Sequence, residues 1–144
     1  MPAQSYANHR RFVTAFHRVL IPILGLTFIG ACVNLIESLD DHDRLYSASL
    51  LVVLAAVSIL IALLARVFAL KAQDRAIRAE ENLRYYVLTG QLLSPALTMR
   101  QVVALRFASD AEFPELAARA AQANLTPDAI KRAVQNWRED TYRV

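Results

Sequence analysis

The feature that most constrains the fold is the stretch of residues 45–88, which contains neither glycine nor proline. Its first part, residues 45–65, has 21 residues without a charged side chain, which is enough to cross a bilayer as a helix. Its second part, residues 66–88, is charged and rich in helix-forming residues. Because nothing in the sequence interrupts the helix between these parts, we predict one continuous rod. It would cross a membrane and extend beyond it as a stalk.

A second apolar block, residues 19–36, precedes this rod and follows a basic lead with a short amphipathic turn. A basic start before an apolar run is also typical of a signal peptide. Against that interpretation, the run has 18 residues and a second span follows it instead of a cleavage site and a soluble chain. We therefore predict a retained transmembrane helix.

The connection between the spans, residues 37–44, is acidic. Its four carboxylates and His42 could hold a divalent cation, but a calcium loop alternates its acids and has a central glycine, and this segment does not. A solvated turn is the favoured interpretation. The connection holds one Lys or Arg, whereas the lead holds three and residues 66–84 hold five. The positive-inside rule then predicts that both termini are cytoplasmic.

Small and polar residues mark one part of the first span. Gly25 and Gly30 would let another helix approach closely, and Asn34 would form a hydrogen bond across the contact. Within the chain, Ser49 at the matching depth of the second span is the expected partner of Asn34. Two interpretations stay open: packing of the two spans against each other, or a docking face for a transmembrane helix of another protein.

The stalk is predicted to carry two ion pairs with i, i+4 spacing, Asp74 with Arg78 and Glu80 with Arg84. It also has a loose apolar stripe, which comprises Leu70, Ile77, Leu83, Val87 and Leu88. The stripe could pack against the rest of the chain or form a coiled coil with a partner, but it is too short to establish heptads. Gly90 is expected to end the helix.

Residues 91–144 are predicted to form three short helices. Thr98 with Gln101 and Ser109 with Glu112 have the spacing of capping boxes, and Pro114 suggests a later start for the second helix. Thr126 followed by Pro127 is a strong helix start, and the helix after it is expected to carry Ile130, Ala133, Val134 and Trp137. The aromatic and arginine residues near the end are typical interface anchors, and we predict that partners are contacted by Trp137, Arg138, Tyr142 and Arg143.

Residue patterns of catalysis, cofactor binding and metal binding are missing from the sequence, which has three glycines and one cysteine. His9 and His17, eight residues apart, are the one metal-like pair, and interfacial or capping roles are commoner for such residues. Neither span has an ionisable residue near its middle, which argues against a self-contained transporter. The last two predicted helices resemble a helix-turn-helix, whose second helix would offer Lys131, Arg132, Asn136 and Arg138. A net charge of only +3 makes nucleic acid the less favoured partner.

Several stretches also carry a family resemblance. They are Asn8-His9; Ala69-Leu70-Lys71, Gln73-Asp74-Arg75, Ile77-Arg78 and Glu80-Glu81; Gln101 with the run from Ala104 to Asp110 and Glu112; and Ile130-Lys131, Trp137-Arg138 and Tyr142-Arg143-Val144. Together they resemble an uncharacterised family of small bacterial two-pass membrane proteins, classed only as a domain of unknown function. The resemblance implies a bacterial origin and the two-span topology, and it supplies no activity.

The sequence therefore predicts an all-α integral membrane protein: a hairpin of two transmembrane helices, a stalk and a small helical module. The resemblance implies that the membrane is the bacterial inner membrane. The predicted segments are a basic interfacial lead (1–18), the first span (19–36), an outside loop (37–44), the second span (45–65), a cytoplasmic stalk (66–90) and a cytoplasmic module (91–144). The expected function is that of a non-enzymatic accessory or scaffold subunit without a cofactor, whose partners are the bilayer and other membrane subunits. Self-association stays open. The alternative is a membrane-tethered adaptor or regulator whose module binds a soluble protein or, less favoured, DNA.

Overall fold

A computed structural model describes residues 4–8 and 12–140. In this part of the chain the fold is helical, with one isolated antiparallel bridge between Ala108 and Trp137 and no strand. A π-helical turn precedes the α-helices, which are α1 (Ile21–Glu37), α2 (His42–Thr89), α3 (Met99–Leu105), α4 (Phe113–Gln122) and α5 (Pro127–Ala133). The predicted all-α class is confirmed.

The chain divides into two compact units. Phe12–Ala69 forms one, which we call the apolar unit; Met1–Arg11 and Leu70–Val144 form the other, which we call the C-terminal unit. Two helices are long and apolar enough to cross a membrane, Ala15–Glu37 and His42–Thr89. The most apolar window of the first is 0% buried and that of the second 11% buried. The core helix of a soluble protein is mostly buried, so these helices do not have that character.

The first apolar helix begins earlier than predicted, with a π-helical turn at Ala15–Leu20. In this turn the N–H of Ile21 donates to the carbonyl of Phe16, five residues back. Pro22 follows at once, and a proline inside a helix lacks the N–H and crowds the carbonyl of the preceding turn. A wider turn immediately before it relieves this crowding, so the helix runs on into α1.

A tight turn joins α1 to α2. The hydroxyl of Ser38, just after α1, donates to the carbonyl of Asn34 at 2.7 Å. The carboxylate of Asp41 then accepts hydrogen bonds from the backbone N–H groups of Asp43 and Arg44, at 3.2 and 3.3 Å. Because Asp41 caps the first turn, α2 begins at His42, within the segment that the sequence assigned to the loop.

Helix α2 has 48 residues and runs without interruption through the predicted stretch 45–88. It ends at Thr89, and Gly90 follows with a φ of +73°. A residue with a Cβ is disfavoured in this left-handed conformation, so the predicted glycine stop is confirmed.

The core of the C-terminal unit lies between α3, α4 and α5. Its largest fully buried side chains are Phe107, Phe113, Leu105, Ile130 and Val102. The Thr98–Gln101 capping box at the start of α3 is present with both of its hydrogen bonds. Three short helices with a common core are therefore confirmed.

The second predicted capping box is wrong in part. The carboxylate of Glu112 accepts the N–H of Ser109 at 3.1 Å, which is one half of the box. The reciprocal half is missing, because α4 begins only at Phe113, with Glu112 as its N-cap and Pro114 in its first turn. The three-residue delay follows from the proline, whose fixed φ suits the first turn of a helix.

The extent of the last helix was also predicted wrongly. Thr126 caps α5 as expected, its hydroxyl accepting the N–H of Ala129 at 3.1 Å. The helix ends at Ala133 and Val134 is extended. Trp137 therefore lies on an extended segment, where its backbone pairs with Ala108.

Candidate functional site

A charged cluster at the end of α2 joins several parts of the C-terminal unit, and Arg84 is at its centre. Its guanidinium donates to the carboxylates of Glu81 at 2.9 Å and Asp110 at 2.6 Å, and to the carbonyl of Ala108 at 2.7 Å. It also lies over the ring of Phe113, 4.4 Å from its centroid. Arg84 thus fixes the chain around residue 108 against α2.

Glu81 is the acid of this cluster, and its side chain is only 5% exposed. Its second oxygen accepts a hydrogen bond from the guanidinium of Arg138 at 3.2 Å. Two arginines from distant parts of the sequence thus compensate one buried carboxylate, which an apolar interior would otherwise destabilise. The predicted pair of Glu80 with Arg84 is wrong, because Arg84 turns to Glu81. The other predicted pair, Asp74 with Arg78, does not form an ion pair within the described residues.

Two of the four residues predicted as partner anchors, Trp137 and Arg138, contact the chain itself. Trp137 is half-buried and its ring packs on Phe107 with centroids 4.9 Å apart. The backbone N–H of Arg138 donates to the carbonyl of Phe107 at 2.7 Å, while its side chain stays 53% exposed. Tyr142 and Arg143 lie outside the described residues. The structure thus places Trp137 on Phe107 and Arg138 at the cluster around Glu81, with part of the Arg138 side chain exposed.

Glu112 fastens the same extended segment from the other side. Its carboxylate accepts the backbone N–H groups of Gln135 at 3.0 Å and Asn136 at 3.1 Å, in addition to that of Ser109. Partial burial raises the pKa of Glu112, but the hydrogen bonds from these three residues outweigh it and keep the pKa below its ordinary value. Glu112 is therefore an ionised anchor for the backbone that follows α5.

The segment before the first apolar helix contacts α5 within the C-terminal unit. The hydroxyl of Tyr6 donates to Asp128 at 2.5 Å, and the guanidinium of Arg132 lies 4.8 Å from the centroid of the Tyr6 ring. The hydrogen bond to Asp128 raises the pKa of Tyr6. The backbone N–H of Asp140 donates to the side chain of Gln4 at 2.8 Å. Residues near the two ends of the chain are thereby held together.

These contacts also correct the helix-turn-helix prediction. Asn136 and Arg138 lie beyond the end of α5, which has 7 residues, so they are not on a recognition helix. Arg132 pairs with Asp128 at 2.8 Å. Of the four basic or amide side chains predicted for the helix, only Lys131 and Arg132 are on it.

The apolar unit has a groove of about 420 Å³ with lining residues from both of its helices. Gly30 and Asn34 from α1 are among them, together with Thr27, and α2 contributes Ala55 and Ser58. The hydroxyls of Thr27 and Ser58 donate to carbonyls four residues back in their own helices, at 2.8 Å each. Both hydroxyls are thus satisfied locally.

Asn34 differs from these hydroxyls. Its side chain is exposed in the groove and has no hydrogen-bond partner among the described residues. The predicted bond to Ser49 is wrong, because the Ser49 hydroxyl donates to the carbonyl of Tyr46 at 2.7 Å. A serine in a helix can always reach a carbonyl of the preceding turn, and here this local bond replaces the one across the helices.

The two predicted glycines fall at different places. A Cβ added to Gly30 or to Gly25 would meet nothing within 4 Å in the described chain. Gly30 lies in the groove and Gly25 does not line it. Neither glycine is needed for packing inside the chain, and Gly30 leaves room in the groove for an outside group.

Of the predicted histidine pair, His9 lies outside the described residues and His17 within them. The Nδ1 of His17 is 3.0 Å from the carbonyl of Val13, and its ring packs against Phe12 and Phe16. In the described ranges, no three His, Cys, Asp or Glu side chains lie together as a metal site would require.

Sequence reasoning missed Glu81 and the anchoring role of Glu112. Glu81 follows Ile77 by four residues, so the two lie on one helical face, and both are buried. That spacing was a signal in the sequence for a shared helical face. No local pattern indicates whether Arg84 pairs with Glu80 or with Glu81. The bonds of Glu112 to Gln135 and Asn136 join residues more than 20 positions apart, and no local pattern indicates them.

The arrangement defines an all-helical protein with two candidate membrane-spanning helices and a small, charge-clamped helical unit. Comparison with known families gives a match along residues 1–144 to a family of unknown function, DUF6526, and the chain belongs to this family. The predicted membership of an uncharacterised family is thereby confirmed. No curated protein and no solved structure matches the chain.

Proposed function

We propose that the chain is a non-enzymatic accessory or scaffold subunit of a larger protein complex in the bacterial inner membrane. The two apolar helices form a transmembrane hairpin, and the groove around Gly30 and Asn34 receives a helix of another membrane subunit. The C-terminal unit, which includes the stalk part of α2, is cytoplasmic and presents the exposed side of Arg138 to the same complex.

The observation that carries this proposal is the unpartnered amide of Asn34 in a largely apolar groove, whose two hydroxyls, on Thr27 and Ser58, are satisfied within their own helices. Asn34 lies two residues inside the predicted end of the first span, and hydrocarbon offers neither donors nor acceptors, so the part of the amide that faces it is stabilised by a neighbouring helix that bonds to it. Gly30, four residues earlier, leaves the space in which such a helix can approach. The groove is therefore better matched to a protein surface than to lipid chains.

The contact between Tyr6 and Asp128 supports the topology. Since residues near the start and near the end of the chain touch, both ends lie on one side of any membrane that the two helices cross. Two spans likewise require that both ends of the chain lie on one side of the membrane. The excess of Lys and Arg outside the short acidic turn makes this side the cytoplasm.

The proposal is tested by extracting the chain from its native membrane in mild detergent and separating the extract on a native gel. Mass spectrometry then identifies the proteins in the band. We expect a defined complex with other membrane subunits in fixed stoichiometry. A band that holds this chain alone would overturn the subunit role, and a soluble protein bound to the C-terminal unit would favour an adaptor instead.

A further inference from the structure

The cytoplasmic part of α2 has two opposite faces of different character. Gln73, Ile77, Glu81, Arg84 and Tyr85 are buried or half-buried within the C-terminal unit. On the other side of the helix, an exposed seam runs through Ala72, Ala76, Ala79, Leu83 and Tyr86. Leu83 is 64% and Tyr86 53% exposed, which is high for large apolar side chains. The predicted apolar stripe is therefore divided between two faces, because Ile77 is buried within the unit while Leu83 is exposed on the opposite side.

The spacing of the seam is that of a coiled coil. Its members follow one another at intervals of four, three, four and three residues, so they occupy alternating d and a positions of a heptad. The three alanines allow two helices to approach closely, and Leu83 and Tyr86 supply apolar surface to bury. The pattern covers about two heptads, which is short for a coiled coil in free solution.

The charges beside the seam identify the partner. Arg75 lies at the g position and Glu80 at the e position of the next heptad. In a parallel pair of helices, a g residue faces the e residue five positions further along the other helix. Arg75 of one copy would therefore face Glu80 of a second copy, and the reverse contact would form by symmetry.

Both of these charged residues are available. Arg75 and Glu80 are exposed, and neither has an ion pair or a hydrogen bond within the described chain. Arg84, which the sequence offered as a partner of Glu80, is bound to Glu81 and Asp110. The fold thus leaves one charge without an ion pair on each side of the seam, Arg75 on one side and Glu80 on the other.

We infer that the seam from Ala72 to Tyr86 joins two copies of this chain as a short parallel coiled coil. The parallel direction rests on the proposed membrane placement, because copies inserted with one topology present their helices in one direction. Confinement in the same membrane raises the effective concentration of the two helices and compensates for the short seam.

The first test is disulfide formation between identical positions of the full chain in membranes. Cys32, the one natural cysteine, is replaced by Ser, and single cysteines are introduced by Ala76→Cys and Ala79→Cys. Arg78→Cys and Lys71→Cys are matched controls, since both residues are exposed on the same helix away from the seam. We expect the dimer to form at least about fivefold faster at the seam than at the controls. Equal rates at all four positions, or a seam adduct only with a different protein, would overturn the inference.

The second test uses the charges. Arg75→Glu and Glu80→Arg each place like charges opposite each other in both symmetric contacts, and we expect each to lower dimer formation about five- to tenfold. The combined variant restores opposite charges and should restore the dimer. Failure of the combined variant to recover would overturn the pairing.

The outcomes separate this inference from the proposed function. A native band that holds a dimer of this chain and no other subunit would contradict the subunit role and agree with the coiled coil. A band that holds other subunits, without faster disulfide formation at the seam, would agree with the subunit role and contradict the coiled coil.

Discussion

The two units of this molecule differ in where their side chains find partners. In the C-terminal unit, Phe107, Phe113 and Ile130 are at most 1% exposed, and a buried carboxylate is compensated by two arginines. In the apolar unit, side chains such as Leu26 and Ile29 are 70% and 60% exposed, and the buried hydrophobic residues are Ala48 and Ala55. One unit closes a core of its own, whereas the other leaves its apolar surface to its surroundings. The same substitution should therefore act on stability in the first unit and on association in the second.

The largest expected effect on stability is that of Arg84→Ala. It removes four contacts at once and leaves the Glu81 carboxylate with Arg138 alone, so we expect the C-terminal unit to lose about 3 kcal/mol. The fluorescence of Trp137, the one tryptophan, reports the unfolding. Arg132→Ala is the control, because the Arg132 side chain is 66% exposed and its pair should matter little. Equal losses of unfolding free energy in the two variants would contradict the stabilising role of Arg84.

The next effect is that of Trp137→Ala. The ring packs on Phe107 and is half-buried, so its removal should lower the free energy of unfolding of the C-terminal unit by about 2 kcal/mol. Urea-dependent protease resistance measures this change without a tryptophan signal. If Trp137 served only to bind a partner, resistance would be unchanged, and the internal role described here would be wrong.

A smaller effect should follow from Glu112→Gln, of about 1 kcal/mol at neutral pH. The pKa of Glu112 is lowered in the folded chain, so its contribution is complete above the ordinary glutamate pKa and is lost as the pH falls through the folded value. The difference in stability between wild type and variant should thus shrink in acid. Unfolding followed at pH 7 and at about pH 3 checks it. A difference that stayed constant with pH would argue against the ionised anchor.

The smallest effect on the chain itself is expected at Gly30. Gly30→Ala meets no atom within 4 Å and improves helix propensity, so the isolated chain should be unchanged or more stable by up to about 1 kcal/mol. In the complex that we propose, the added methyl group would enter the groove and weaken association. Gly25→Ala, outside the groove, should leave the complex intact. Identical behaviour of the two variants in the complex would remove Gly30 from the docking face.

Local signals in the sequence were sufficient for the helices and for several of their ends. The Thr98–Gln101 box, the Thr126 cap and Gly90 act within four residues of their own positions, and the structure has all three. What the sequence could not indicate depends on distant residues. The end of α5 at Ala133 follows from the pairing of Trp137 with Ala108 and from the hydrogen bond of the Gln135 N–H to Glu112. Neither contact is indicated by a local pattern.

The candidate docking residues show the same division. Gly30 and Asn34 are four apart on one helix, so their common face could be predicted, and the structure places both in the groove. The partner of Asn34 could not be predicted, because the Ser49 hydroxyl donates to a nearer acceptor in its own helix.

One pair of variants tests most directly whether Asn34 bonds to another subunit. Asn34→Leu removes the amide, while Thr27→Val removes a hydroxyl in the same groove that is already satisfied within its own helix. On native gels of mild-detergent extracts, we expect Asn34→Leu to weaken the complex by roughly three- to tenfold and Thr27→Val to leave it unchanged. A complex that withstands both substitutions equally would contradict a hydrogen bond between Asn34 and another subunit.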